Sequence, residues 1–129
     1  MIADRLIEQG TLRTDGTRVR VDVRMPWYRA LPASSIAGAD LVVDGVAADP
    51  STLRWTMNGR TWRFEELPPR IDDWWFIQDA AVLEGELAVA PGEHEVEVGL
   101  RLYIPYIVTD HGVLMIDEHG TRTMTAVAA

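Results

Sequence analysis

Between Glu93 and Ile104 the apolar residues Val96, Val98, Leu100, Leu102 and Ile104 fall on one parity, and Glu95, Glu97 and Arg101 on the other. Side chains alternate across a strand, so this spacing predicts one long half-buried strand with five hydrophobes on its inner face. Pro91-Gly92 marks its start, and Pro105, which has no backbone N–H, predicts its end. Thr17 to Met25 repeats the grammar: Val19, Val21 and Val23 point one way, and Arg18, Arg20, Asp22 and Arg24 the other.

Turn chemistry divides the remainder. Asp15-Gly16 predicts a two-residue hairpin turn with Thr14 opposite Thr17 and Leu12 opposite Val19. Asn58-Gly59 predicts another, pairing Trp55 with Trp62 and Leu53 with Phe64 on one face, and Thr56 with Thr61 and Arg54 with Arg63 on the other. Two arginines side by side are unfavourable unless a carboxylate or a partner protein lies between them. Leu41 to Val43 reads as a short strand ending in Asp44-Gly45, with Asp49-Pro50-Ser51 a further turn. Ile71 to Gln78 reads as a strand. Val82 to Val89 reads as another, with Leu83, Leu87 and Val89 inward around Gly85. Gly112 to Met124 reads as a hairpin around Glu118-His119-Gly120. Met1 to Gly10 is read as extended, and Pro26 to Ala37 as a long shaped loop.

Eight to ten short strands, little helix and no repeat predict an all-β fold: an antiparallel β-sandwich of immunoglobulin-like or jelly-roll type. With 129 residues and 47% hydrophobic composition, residues 1–129 are expected to form a single domain. No run approaches the roughly 18 apolar residues of a membrane span, and the first ten residues lack a signal-peptide pattern. The absence of cysteine excludes disulfides and thiolate metal sites and suits a reducing compartment, so a cytoplasmic location is expected. A formal charge of −8 disfavours nucleic acid. All 12 basic residues are arginine, which excludes a Schiff-base lysine and favours planar pairing at interfaces.

No catalytic signature emerges. His111, Asp117 and His119 lie close in sequence but lack metal-ligand spacing, and exposed hairpin histidines account for them. Glu65 or Glu66 with Asp72 or Asp73 could be nominated as a glycosidase pair, yet 20 acidic residues make accidental pairs common. The candidate residues are aromatic instead. Trp74 and Trp75 are adjacent and must face opposite ways on a strand, so one is core and the other a contact surface or covered by a loop. Trp27, Tyr28 and Arg29 in the long loop, and Tyr103 and Tyr106 after the organising strand, are core-packing or partner-contact residues of the kinds that anchor interfaces and sugar platforms.

The same segments carry a family resemblance. MPWYRALPASSI from Met25, LVVDG from Leu41, DWWF from Asp73, the run from Leu87 to His94, and RLYIPY from Arg101 resemble the small beta subunits of bacterial C-glycoside deglycosidases. The resemblance spans Thr11 to Ile107. It implies a β-sandwich bound, in a hetero-oligomer, to a larger catalytic alpha subunit similar to sugar isomerases, a (β/α)-barrel holding a divalent metal, usually manganese. It also implies that the catalytic residues and metal ligands lie on that partner, and that this chain holds no cofactor of its own. The implied substrates are 3-oxo-C-glycosides, cleaved by elimination. This chain would shape or close the pocket through Trp27 to Ser35 or Tyr103 to His111. A free-standing carbohydrate-binding sandwich using Trp74 or Trp75 is the alternative, and an enzyme acting alone through Glu65 to Asp73 a third.

Overall fold

The computed structural model describes residues 5–128. It contains eleven strands: β1 (Arg13–Thr14), β2 (Arg18–Val23), β3 (Leu31–Pro32), β4 (Ile36–Val43), β5 (Val46–Ala47), β6 (Arg54–Met57), β7 (Arg60–Arg63), β8 (Trp74–Trp75), β9 (Ala81–Glu86), β10 (Gly92–Thr109) and β11 (Gly112–Ala128). Three short 3-10 turns are the helical elements after residue 5 that carry defined bounds. The expected all-β class is what the chain adopts.

Nine strands form one sheet in the order β5-β4-β10-β11-β1-β2-β9-β6-β7, while β3 and β8 pair separately. Every pairing is antiparallel except β1 with β11, which run parallel at Arg13↔Val127 and Thr14↔Ala128. That junction divides the sheet into halves folded face to face. Val19, Val21, Val23, Trp55 and Leu83 from one half, and Leu41, Val43, Val96, Val98, Leu100 and Leu102 from the other, share one buried cluster. Packing is tight at Gly85 on β9: a Cβ there would lie 2.8 Å from Ala48 Cβ and 2.9 Å from Leu53 Cδ2.

The organising strand buries Val96, Val98, Leu100, Leu102 and Ile104 completely. It does not end at Pro105. β10 continues to Thr109, with its register against β11 disturbed between Ile104 and Val108, because a residue without N–H breaks the ladder locally while the strand resumes beyond it. The hairpin expected around Glu118-His119-Gly120 is corrected as well. β11 is continuous there, with Gly120 opposite Val98, and the reversal occurs at Asp110-His111 before Gly112, whose φ of +107° suits a turn.

Other boundaries shift for local reasons. The Asn58-Gly59 hairpin has the expected pairs Arg54↔Arg63, Trp55↔Trp62 and Thr56↔Thr61. Leu53 and Phe64 do not extend the ladder, because Phe64 opens a 3-10 turn. In the first hairpin Thr14 faces Val19 rather than Thr17, because the Asp15 carboxylate accepts from the backbone N–H groups of Thr17 and Arg18 and moves the turn to Gly16-Thr17. This two-residue slip preserves the faces. β4 begins at Ile36, and the loop before it contains β3, which pairs with β8; only Trp74–Trp75 of the expected Ile71 to Gln78 strand forms. Residues 6–8 run beside β2, with Glu8 N–H donating to Asp22 and Arg24 N–H to Leu6. The first four residues of the segment read as extended lie outside the described residues.

Arg54 and Arg63 are paired directly, and Glu84 lies on the far side of Arg54 rather than between the two arginines. Glu84 is opposite Arg54 on β9 and accepts from Arg18 at 2.6 Å and Arg20 at 3.4 Å, while Glu66 lies near Arg63.

Candidate functional site

Two backbone events assemble the most distinctive surface. β2 ends before Pro26, and buried Met25 and Pro26 anchor the chain as it leaves the sheet, which leaves Trp27 half-buried and turns Tyr28 and Arg29 outward. The disturbed register after Pro105 carries Tyr106 towards them. Trp27 Nε1–H donates to the Tyr106 hydroxyl oxygen at 2.6 Å. The Trp27 and Tyr28 rings meet at 4.8 Å between centroids. The Arg29 guanidinium lies 5.6 Å from the Tyr28 centroid and 5.4 Å from that of Tyr106, so two ring faces hold one cation. The Tyr28 phenol is pushed above the usual tyrosine range, first by the neighbouring Tyr106 hydroxyl and then by the charge that phenol would carry.

Beyond Leu102, where its pairing with β4 ends, β10 runs on with β11 as a two-stranded arm. Val108 pairs with Val113 and Tyr103 with Met115, and all four side chains are exposed, Val108 at 73%. At the tip Thr109 Oγ1 accepts from His111 N–H and donates to the Gly112 carbonyl. The exposed apolar side chains of the arm lie next to the aromatic and arginine cluster, a combination of residue types enriched at protein interfaces.

The structure therefore brings Trp27, Tyr28, Arg29 and Tyr106 together and puts Tyr103 on the arm and His111 at its tip. Trp75 is buried, edge-on to Trp55 at 5.0 Å, with its Nε1–H donating to the Asp79 carbonyl. Trp74 is 43% exposed and stands apart, its carbonyl accepting from Asn58 Nδ2. Val108, Val113 and Met115 were not singled out from the sequence. The signal was there: Val113-Leu114-Met115-Ile116 is an apolar run that a two-faced strand cannot bury entirely.

Three of the four acidic candidates lie near arginines. Glu65 and Glu66 lie near Arg63, and Asp73 lies 3.5 Å from Arg60. Among the described residues no group of three or more His, Cys, Asp or Glu side chains gathers to hold a metal. His119 Nε2 lies 3.0 Å from Asp117, and nearby Asp40 is taken by Arg101 at 2.9 Å. This donor set does not fit a catalytic cation. No helix of the described residues is long and apolar enough to cross a membrane.

Comparison with known proteins gives a consistent family. A family model described as C-glycoside deglycosidase beta subunit matches residues 2–106. The C-glycoside deglycosidase beta subunit of Microbacterium trichothecenolyticum is 61% identical over the full length of both chains. That of Arthrobacter globiformis is 64% identical over 96% of each. The 3'-dehydrocarminate deglycosidase beta subunit of a Microbacterium species is 41% identical over 96% of this chain and 95% of its own. The similarity thus reaches past residue 106, through the arm, in these relatives.

Proposed function

The chain belongs to the C-glycoside deglycosidase beta subunit family, and on that premise we propose that it is the non-catalytic, pocket-shaping subunit of a hetero-oligomer that breaks the sugar–aglycone carbon–carbon bond of 3-oxo-C-glycosides. The subunit role follows from the family. The 3-oxo substrate is supported by the relative whose name specifies a 3'-dehydro glycoside.

The proposed chemistry is an elimination. A carbon-linked aglycone offers no bridging oxygen to protonate, so the two-carboxylate route of ordinary glycosidases is closed. A ketone at C3 acidifies the proton at C2. A base removes that proton, its electron pair forms the C1–C2 double bond, and the C1–aglycone bond breaks as the aglycone carbon takes up a proton. We assign the base and the divalent metal to the partner alpha subunit, a sugar-isomerase-like barrel, as the family resemblance implies. This chain would act by position: the Trp27 to Arg29 loop and the arm would seat the partner and close one side of its pocket.

The observation that carries this reading is the aromatic and arginine cluster beside the exposed apolar arm. Co-expression with the alpha subunit tests it, reading mass in solution and turnover of a 3-oxo-C-glucoside. A stable mixed oligomer with activity absent from either chain alone is expected, and Val108→Asp with Met115→Asp should abolish the oligomer while this chain remains folded. A double variant that still assembles at full affinity would remove the arm from the interface. Activity of this chain alone would overturn the subunit reading.

A further inference from the structure

The arm and the cluster at its base carry opposite charges at their two ends. At the base, Arg29 lies between two rings, 5.6 Å from the Tyr28 centroid and 5.4 Å from that of Tyr106, and Tyr106 is itself held by the Trp27 indole at 2.6 Å. At the tip, Asp110 sits in the turn that Thr109 closes by accepting from His111 N–H and donating to the Gly112 carbonyl. Arg29 and Asp110 are both exposed. Between them stand Val108 and Val113, exposed as well.

Neither charge is matched within the chain. Most arginines pair with a carboxylate of their own sheet, as Arg13 does with Asp22 at 3.1 Å, Arg18 with Glu84 at 2.6 Å and Arg101 with Asp40 at 2.9 Å. The Arg29 side chain has no ion pair or hydrogen bond among the described residues, and neither has that of Asp110. They do not neutralise each other either. Asp110 follows Tyr106 by roughly 13 Å of strand, and exposed charges are largely screened beyond about 8 Å in physiological salt.

The cation at the base is also shaped. The two rings cover the faces of the guanidinium and leave its in-plane N–H donors to a planar acceptor, and a carboxylate accepts two of them at once. Because Trp27 already fixes one of those rings, little freedom is left to lose when an acceptor arrives.

We propose that these two charges select and orient the alpha subunit: the partner presents a carboxylate to Arg29 and a cationic side chain to Asp110, on either side of an apolar strip that receives Val108 and Val113. A partner seated the other way round would set like charge against like at both ends. This rests on the docking reading above and adds to it the chemistry of the surface that the partner must offer.

Calorimetric titration of the alpha subunit with the full parent chain and with charge variants, at constant pH, tests the proposal. Arg29→Glu should weaken association about 100-fold and Asp110→Arg about tenfold; circular dichroism should be unchanged, since both side chains are exposed. Parent affinity should fall as salt rises from about 0.05 to 0.5 M, and the doubly neutral variant, Arg29→Gln with Asp110→Asn, should lose most of that dependence. Changing one acidic residue on the facing surface of the alpha subunit to arginine should recover the Arg29→Glu variant. Parent affinity in Arg29→Glu, or equal salt dependence in the parent and the doubly neutral variant, would overturn the proposal and leave the subunit reading standing. Failure of the parent chain itself to bind the alpha subunit would remove both.

Discussion

Trp27 and Tyr106 lie 79 positions apart in the chain, and their side chains meet in a single hydrogen bond of 2.6 Å, indole N–H to phenol oxygen. That bond ties the loop after β2 to the base of the arm, so the cluster's shape depends on both segments. Tyr106→Phe removes the acceptor and should cost about 1 kcal/mol of stability, read by urea unfolding. Arg29→Ala should leave stability within about 0.5 kcal/mol, since the side chain is exposed, while weakening association with the alpha subunit about 30-fold, the effect of a hot-spot residue. Arg29→Lys should not restore it, because an ammonium cannot lie flat against the Tyr28 and Tyr106 rings as a guanidinium does. Binding by calorimetry, unchanged in either Arg29 variant, would show that the cluster faces solvent in the complex.

The tight packing around Gly85 predicts a different response. A methyl group at Gly85 would enter the space of Ala48 and Leu53, both packed in the core. Gly85→Ala should destabilise by about 1–3 kcal/mol through overpacking, with Ala48→Gly in the same chain recovering part of the loss. Thermal unfolding of the two variants checks this.

A pH dependence follows from His94. Its Nδ1 lies 2.6 Å from Asp44 and its Nε2 2.7 Å from the Ala90 carbonyl, and only the protonated ring donates at both ends. The Asp44 hydrogen bond first, then the Ala90 carbonyl, raise the His94 pKa above its ordinary 6.5. The contribution to stability is therefore complete below about pH 6.5 and is lost as pH rises through the raised value. Asp44 is lowered, chiefly by the same His94 bond, so its contribution is present above about pH 3.9 and is lost as pH falls through the lowered value. Unfolding free energies measured from pH 5 to 9 should decline more steeply in the parent chain than in His94→Gln. Parallel curves would contradict the assignment.

How legible this was in the sequence depends on where each decision is made. The Arg54 to Arg63 hairpin could be read residue by residue because Asn58 and Gly59 both adopt positive φ, +55° and +77°, the local conformation their chemistry favours. Gly120 misled for the converse reason: a glycine beside histidine resembles a turn, yet here it is an interior strand residue, and the positive φ belongs to Gly112. Pro105 reads as a terminus because its missing N–H is a local fact. Resumption of the ladder at Val108 depends on the facing Val113, which is not local. The candidate site divides likewise. Trp27, Tyr28, Arg29 and Tyr106 stand out by residue type. Their meeting depends on the path of two separate segments, and no spacing in the chain encodes it.

The parallel seam between β1 and β11 bears on how the protein is made. Residues 13–14 emerge early from the ribosome, and the strand they must join, at residues 127–128, emerges more than a hundred residues later. The β2, β9, β6 and β7 half can zip up during synthesis, but nothing joins it edge to edge to the other half until that last strand is out. The exposed apolar arm, residues 103–116, is complete a little sooner. For that short interval a nascent chain displays these apolar side chains before its own body has closed, a window in which exposed apolar surface is open to aggregation.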